Sequence, residues 1–476
     1  MIEKNYKEKL HSLKKLLNIW RQRQLSLKGK ITVIWSVALP QLLYACSTLY
    51  TPNWVINEAD ELFFKFLWSD KKAHVKKTSI IADTKNGGLK MLHFESMVKA
   101  VKINWIKRYR NVDSNYCKIV SYFTGINLPI STIISCQLDN TLIACKDPFY
   151  QQMFEYWYSI YTKSSHSANE IYNQLLWYNK HILVNNKPVF YQTWWNKGIK
   201  SVHHIITKNG KFRTKIELEN LFHFEIKQMD YNSLTHAIPI AWLRLIVANN
   251  VTADLTNDLR LKVDNNLYTI QNVRCKLVYS YFVSKMIEAP TAVRKWSEIF
   301  FIDKDVWKNI FTLSFEICEE TLLQTFQYKI INRFFPCNYT LSIWYKDLSN
   351  KCEHCPSEEI DTIQHYFCHC QPVNDFWFSF IRWWKNVYEF NFMLSVEEII
   401  FGVLNPNNDS NIDVLNYCIL IGKYYIYYTK KSGARIFLFN FLHMLKNKLQ
   451  ILHTMYCLKE RESVFEKKWS TLYENV

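Results

Sequence analysis

The chain has 476 residues, of which 49% are hydrophobic and 16% aromatic, enough apolar side chains for several globular domains. Nine glycines and eleven prolines are few for this length, so a Rossmann-type or many-turn β architecture is not expected and a mainly α, multi-domain fold is predicted. The thirteen cysteines are odd in number and lack a disulfide-like repeat, and the N-terminus does not resemble a signal peptide. These features predict an intracellular protein, nuclear or cytoplasmic.

Positive charge is concentrated near the N-terminus. The net charge is +17, and residues 1–110 contain 21 Lys and Arg against 8 Asp and Glu, so this segment carries +13 of it. Such a concentration is typical of a surface that binds phosphates, because the release of counterions supplies much of the affinity for a polyanion. The alternative is a solvated helix face in a lysine-rich protein.

Residues 1–110 are predicted to form a basic helical domain. Apolar spacing predicts helices over 10–24, 31–49, 58–68 and 97–109, with a break at Gly29. Basic residues cluster at the expected helix ends and loops, where phosphates are readily bound. The candidate nucleic-acid-binding residues are Arg21, Arg23, Lys28, Lys30, Lys71, Lys72, Lys76 and Lys77.

The segment 111–290 is predicted to be a small α+β connecting region. Turn signals occur at 125–131 and at Asn209-Gly210, whereas 111–185 has the least legible pattern of the chain. No glycine-rich nucleotide-binding loop is present.

Residues 291–476 are predicted to form a helical C-terminal domain with helices over 322–334, 376–388 and 436–456. The most membrane-like stretch, 414–428, has fifteen residues and includes Asn416 and Lys423. It is shorter than the ~20 apolar residues that a spanning helix needs, so no membrane segment is predicted.

Cys352, Cys355, His365 and Cys370 have the spacing C-x2-C-x9-H-x4-C. Three thiolates and one imidazole can close a tetrahedral shell around a structural zinc ion and leave no position for a substrate water. The alternative is chance clustering in a cysteine-rich chain. Three further residues lie close enough in sequence to replace a ligand: His354, Cys368 and His369.

An ordered series of motifs resembles one known family. The motifs are Trp20-Arg-Gln-Arg-Gln-Leu-Ser-Leu-Lys-Gly-Lys-Ile31, Leu67-Trp-Ser-Asp-Lys-Lys72, Gly87-Gly-Leu-Lys-Met91, Trp194-Trp-Asn-Lys-Gly-Ile199, Ala237-Ile-Pro239, Phe326-Gln-Tyr-Lys-Ile-Ile-Asn-Arg333 and Asp361-Thr-Ile-Gln-His-Tyr-Phe367 followed by Cys370 and Phe376-Trp377. The series is similar to the region after the polymerase palm in LINE-type non-LTR retrotransposon reverse transcriptases, and it covers essentially the whole chain.

The resemblance implies a thumb-like domain over 1–110, a wrist-like connection over 111–290 and a C-terminal domain over 291–476 with a zinc knuckle at 352–370. It also implies that Cys370, not Cys368, is the fourth ligand. The implied partners are RNA, DNA as a second nucleic acid, and a separate palm-bearing reverse transcriptase chain.

No catalytic activity is expected. The chain has no Tyr/Phe-x-Asp-Asp motif that could hold the metal ions of a polymerase. Asp409, Asp413 and Lys423 are the remote candidates for a nuclease, but the two acids lie in or beside a loop-like segment. The predicted function is therefore nucleic-acid binding without catalysis. The alternative is a degenerate retroelement fragment that acts at most as a protein-interaction scaffold.

Overall fold

The computed structural model describes residues 2–109, 122, 133–136, 147–161, 167–253, 260–263, 266–356, 358–389 and 393–476. The predicted turn at 125–131 and much of 111–185 lie outside the described residues. The protein is mostly helical, with 66% helix and 4% strand, and is multi-domain. The prediction of a mainly α, multi-domain fold is confirmed.

The N-terminal helices begin with α1 (Ile2–Arg21), whose buried face repeats at helical spacing through Tyr6, Leu10, Leu13 and Leu17. The helices of this segment are α1 (Ile2–Arg21), α2 (Leu27–Val33), a π-helix (Ile34–Ala38), α3 (Leu39–Thr48), α4 (Asn53–Trp68), α5 (Lys77–Ile80), a 3-10 helix (Thr84–Asn86), α6 (Phe94–Ile103) and a 3-10 helix (Asn104–Tyr109).

The predicted break at Gly29 is wrong. Ser26 is the N-cap of α2, and its side chain accepts a hydrogen bond of 3.1 Å from the Gly29 amide, so the helix starts before the glycine and includes it. A capping hydroxyl, not a flexible residue, marks the start of this helix.

The middle segment combines short helices with two small antiparallel hairpins, as the α+β expectation required. Its elements are α7 (Pro148–Tyr161), α8 (Ala168–Asn173), β1 (Leu183–Val184), β2 (Lys187–Pro188), α9 (Gln192–Asn196), α10 (Val202–Ile205), α11 (Lys215–Phe222), α12 (Gln228–Ala237), α13 (Ile240–Ala248), β3 (Arg260–Val263), β4 (Asn266–Thr269), a 3-10 helix (Ile270–Asn272) and α14 (Cys275–Ser284). The predicted turn at Asn209-Gly210 is present between bridge partners Ile206 and Phe212.

The C-terminal helices surround α21 (Ser410–Lys431), whose residues from Val414 to Ile426 are almost all buried. A helix that is apolar on every face belongs in a core, which explains the membrane-like composition of this stretch. The elements are α15 (Thr291–Phe300), α16 (Val306–Ile317), α17 (Thr321–Ile331), α18 (Asn338–Trp344), a π-helix (His365–His369), α19 (Gln371–Tyr388), α20 (Val396–Phe401), α21 (Ser410–Lys431), α22 (Leu438–Leu458) and α23 (Glu462–Glu474). The three helices predicted here correspond to α17, α19 and α22.

The chain divides into two compact units. The first contains Met1–Lys14, Leu39–Glu61 and His93–Lys285, and the second contains Lys15–Ala38, Leu62–Leu92 and Met286–Val476. In the first unit, apolar clusters form around Trp157 and around Trp177. In the second, one large cluster includes Phe326, Trp377 and Phe441. The division into domains at 110 and 290 stays a prediction.

One run of the described residues is long and apolar enough to cross a membrane. The run Leu27–Thr48 has 22 residues, and its most apolar window has a mean hydropathy of 1.4. This is weak support for a span, because a core helix of a soluble protein passes the same test, and 44% of that window is buried inside the protein. The expectation of no membrane partner stays a prediction.

Candidate metal centre and basic surface

The four residues with metal-ligand spacing converge in the second unit. The ligand atoms of Cys352, Cys355, His365 and Cys370 all lie within 4.8 Å of one another, so they could hold a metal ion. The Cys352 and Cys370 sulfurs are 3.9 Å apart, and Cys355 Sγ lies 3.4 Å from His365 Nε2. These distances suit four donors that point at one centre.

Local backbone structure explains the convergence. Cys352 lies in a small hairpin, where its amide donates to the Glu359 carbonyl over 2.8 Å. His365 begins the π-helix, and Cys370 follows it as the residue before α19, with its amide donating to the His365 carbonyl over 3.0 Å. The hairpin thus supplies the first pair of donors, and the π-helix supplies the second pair.

Glu359 orients the imidazole. Its carboxylate Oε2 lies 3.0 Å from His365 Nδ1, and His365 is 3% exposed. A histidine that donates from Nδ1 to a carboxylate presents the lone pair of Nε2 to the centre, the usual arrangement of a metal-bound imidazole. Sequence analysis did not identify this contact.

Lys430 brings a positive charge to the cluster from α21. Its Nζ donates to the Tyr366 carbonyl over 3.2 Å and lies 4.3 Å from the centroid of the Tyr366 ring. Burial raises the pKa of the Cys352 and Cys370 thiols, and the Lys430 ammonium opposes that rise. No local pattern could have identified Lys430, because it is 64 residues from Tyr366 in sequence.

The three alternative ligands do not join the cluster. Cys368 is buried in the apolar core, where burial raises its pKa to about 12 and the nearby Lys423 opposes that rise. His369 and His354 are exposed. Cys370 is therefore the residue that completes the group of four.

The eight candidate nucleic-acid-binding residues have different surroundings. Arg21 forms an ion pair of 2.6 Å with Asp70, and Lys76 forms one of 3.0 Å with Glu288. Lys30 is buried and donates to the Leu67 carbonyl over 3.1 Å and to Ser69 Oγ over 2.6 Å.

The other five candidates differ in exposure and in their neighbours. Arg23 is exposed and lies 4.8 Å over the Trp20 ring. Lys28 is half-buried, and burial followed by the charge of Lys90 lowers its pKa. Lys71 and Lys72 are exposed and form no ion pair with any residue that the structure describes, whereas Lys77 is half-buried and has interacting neighbours.

The remote nuclease candidates have separate structural roles. The Asp409 carboxylate accepts from the Asn411 amide over 2.8 Å at the start of α21, and Asp413 pairs with Lys468 at 2.7 Å. Lys423 is buried farther along the same helix, and the helix rise from Asp413 to Lys423 is about 15 Å. Its Nζ donates to Gln327 Oε1 over 2.7 Å. These residues do not form one site.

Comparison with known proteins gives limited similarity. No protein-family model matches the chain. The chain is 32% identical over 93 residues to an Arabidopsis thaliana protein that is named provisionally as a ribonuclease H protein. The match covers 18% of this chain and spans only 15% of the length of that relative.

Proposed function

We propose that the protein binds nucleic acid, RNA foremost, without catalysing a reaction, and that it corresponds to the C-terminal region of a LINE-type reverse transcriptase. The observation that carries the proposal is the concentration of +13 charge in residues 1–110, with the exposed Arg23, Lys71 and Lys72 among its members. Exposed cations that have no carboxylate partner favour a polyanionic ligand. The similarity to a protein named for ribonuclease H, an enzyme class that acts on RNA, agrees with this class of partner.

Zinc is the metal that suits the four-residue cluster. A set of three thiolates and one imidazole is typical of structural zinc, and all four tetrahedral positions are taken by protein atoms. Three thiolates around Zn²⁺ leave a charge of −1, which the buried Lys430 offsets. The zinc would fasten the hairpin of Cys352 to the start of α19 and so stabilise the helices against which Phe376 and Trp377 pack.

The test is the affinity of the zinc-loaded protein for a structured RNA and a DNA duplex, measured by fluorescence anisotropy across a salt series. We expect log Kd to depend steeply on log salt concentration, because phosphate contacts release counterions. The double variant Arg23→Gln, Lys72→Gln should reduce that slope by about 0.7–0.9 for each phosphate interaction that the substitutions remove.

The matched control is Lys304→Gln, Lys308→Gln, which removes the same charge from two exposed lysines of the second unit. A slope that falls equally in both double variants would show that only net charge matters. A flat salt response of the wild type, with self-association, would favour the interaction scaffold. Association with a palm-bearing chain, the intracellular location and the lack of catalysis stay predictions.

A further inference from the structure

A basic cleft lies within the second unit. It has a cavity volume of about 780 Å³ and is formed by residues 24–27, the end of α4 with the segment after it, α17, the segment from Phe334 to Trp344, and the end of α21. Four lysines line it, and we call it the lysine cleft after them: Lys30, Lys71, Lys329 and Lys431. Its volume is within the ~300–1,000 Å³ that is usual for a ligand site.

The positive charge of the lysine cleft is not balanced within its walls. No acidic residue is among those that line it, and no carboxylate pairs with Lys71, Lys329 or Lys431 in the part of the chain that the structure describes. The Lys30 ammonium already donates to the Leu67 carbonyl and to Ser69 Oγ, whereas Lys71 and Lys431 are exposed.

The cations of the cleft repel one another. Burial lowers the pKa of Lys329 and of Lys30, and the charges of Arg21 and Lys329 lower that of Lys30 further. The pKa of His74, also in the wall, is lowered by burial and then by Lys329 and Lys71. Folding alone gains nothing from this repulsion, but a bound anion would relieve it.

Aromatic rings accompany the lysines. Tyr428 at the end of α21 is 59% exposed, and Trp344 at the end of α18 is 37% exposed, which is high for such large side chains. The His74 ring is stacked on Phe334, with centroids 5.2 Å apart, and its centroid lies 4.4 Å from that of Trp344. The wall therefore presents ring faces next to cationic groups.

We propose that the lysine cleft binds a single-stranded segment of nucleic acid, with lysines on its phosphates and Tyr428 and Trp344 on its bases. This inference rests on the proposed function and locates it. Single-strand binders combine a basic groove with aromatic rings on which unpaired bases stack. The faces of paired bases are hidden inside a duplex, so a duplex would gain nothing from these rings.

The experiment uses the full chain and three labelled probes: an oligouridine and an oligothymidine of about ten nucleotides, within the site sizes of known single-strand binders, and an RNA duplex of equal length. Tyr428→Ala should weaken binding of the single strands about tenfold, the effect of removing one stacked base, and leave duplex binding unchanged. Tyr428→Phe keeps the ring and should bind like the wild type.

A second experiment tests the charges of the cleft with the double variant Lys71→Gln, Lys431→Gln. The control is the double variant Lys304→Gln, Lys308→Gln, which removes the same charge elsewhere. The cleft variant should reduce the single-strand salt slope by about 1.4, since each lysine that no longer meets a phosphate lowers the slope by about 0.7. Equal reductions in affinity for the uridine and thymidine probes would support contacts of these lysines with phosphates, which both probes carry, whereas a reduction confined to uridine would contradict phosphate contacts and indicate contacts with the 2′-hydroxyl instead.

Two outcomes separate the failure of this inference from that of the proposed function. If the wild type binds with a steep salt slope but all cleft variants bind like it, the lysine cleft is not the site while the proposed function stands. If the wild type shows no salt-dependent binding to any probe, the proposed function fails first. Tyr428, Lys71 and Lys431 are exposed, so their variants should unfold at the wild-type temperature.

Discussion

The carboxylate of Glu359 lies 3.0 Å from Nδ1 of His365, the one imidazole of the candidate metal centre. This contact selects the tautomer whose Nε2 faces the thiol of Cys355, 3.4 Å away. The oriented imidazole is a better donor than a freely rotating one, because its direction and its tautomer are set before the metal arrives.

Glu359→Gln should therefore weaken zinc binding by roughly 10–100-fold without removing a ligand. A competition titration against a chromophoric chelator measures the affinity. The control is Glu358→Gln, which removes the neighbouring carboxylate that pairs instead with Lys351 at 2.7 Å. Equal affinities for the two variants would show that the contact of Glu359 with His365 has no role in metal binding.

Cys370→Ala and Cys368→Ala should differ in metal content. Cys370 belongs to the group of four, whereas Cys368 packs in the core two residues earlier. We expect the first variant to lose stoichiometric zinc and the second to keep it, although both lose buried volume and some stability. Elemental analysis of the purified proteins measures the zinc. Retention of one zinc per chain by Cys370→Ala would contradict the assignment.

Chelation provides the matching stability test. A chelator should lower the unfolding temperature of the wild type and of Cys368→Ala, because the folded state loses a ligand that stabilises it. It should have little effect on Cys370→Ala, which has no zinc to lose. An unfolding temperature that is insensitive to the chelator in all three proteins would mean that the centre does not stabilise the fold.

The spacing of Cys352, Cys355 and His365 predicted the candidate metal centre, because these residues lie close in sequence and metal chemistry restricts their spacing. The choice of Cys370 over Cys368 came from the family resemblance. Glu359 and Lys430 were not predictable, since a carboxylate in a loop and a lysine on a distant helix give no local signal. The basic residues likewise have charges that the sequence shows and partners that it does not show. The sequence reveals the charges of Arg21 and Lys76, but their partners Asp70 and Glu288 become neighbours only through folding.

Helix positions followed from apolar spacing, and their errors have physical causes. The start of α2 was missed because the capping bond of Ser26 outweighs the helix-breaking tendency of Gly29. The lysine cleft was invisible in the sequence, because its wall combines segments from residue 24 to residue 432.

Lys423 should make stability depend on pH. Burial lowers its pKa to about 7, and its Nζ donates to Gln327 Oε1 and the Ile400 carbonyl. Between pH 7 and the usual lysine pKa of about 10.4, the unfolded chain binds the proton that the folded chain has lost, so this residue's contribution to stability rises with pH. Below pH 7 both states are protonated and the contribution is constant.

The free energy of unfolding of the wild type minus that of Lys423→Met should therefore increase from pH 7 to pH 10, by up to about 1.4 kcal/mol per pH unit. Denaturant titrations at each pH measure it. Subtracting the two free energies cancels the contribution of the buried thiols and phenols, which both proteins share. The raised pKa values of those groups make stability fall as the pH rises. A difference that does not change with pH would show that Lys423 stays charged in the fold.

Replacing Gly88 or Gly29 by alanine should change the free energy of unfolding in opposite directions. A Cβ at Gly88 would lie 2.0 Å from the Ala82 carbonyl oxygen, a backbone atom that cannot move aside cheaply, whereas at Gly29 the nearest contact is 3.4 Å. Gly29→Ala should raise the free energy of unfolding by about 0.5–1 kcal/mol, because alanine favours the helical conformation of α2. Gly88→Ala should lower it by about 2 kcal/mol or more, through overpacking against the backbone. Thermal and denaturant unfolding of the two variants measure both changes, and a neutral Gly88→Ala would mean that the chain from 82 to 88 is more loosely packed than the structure shows.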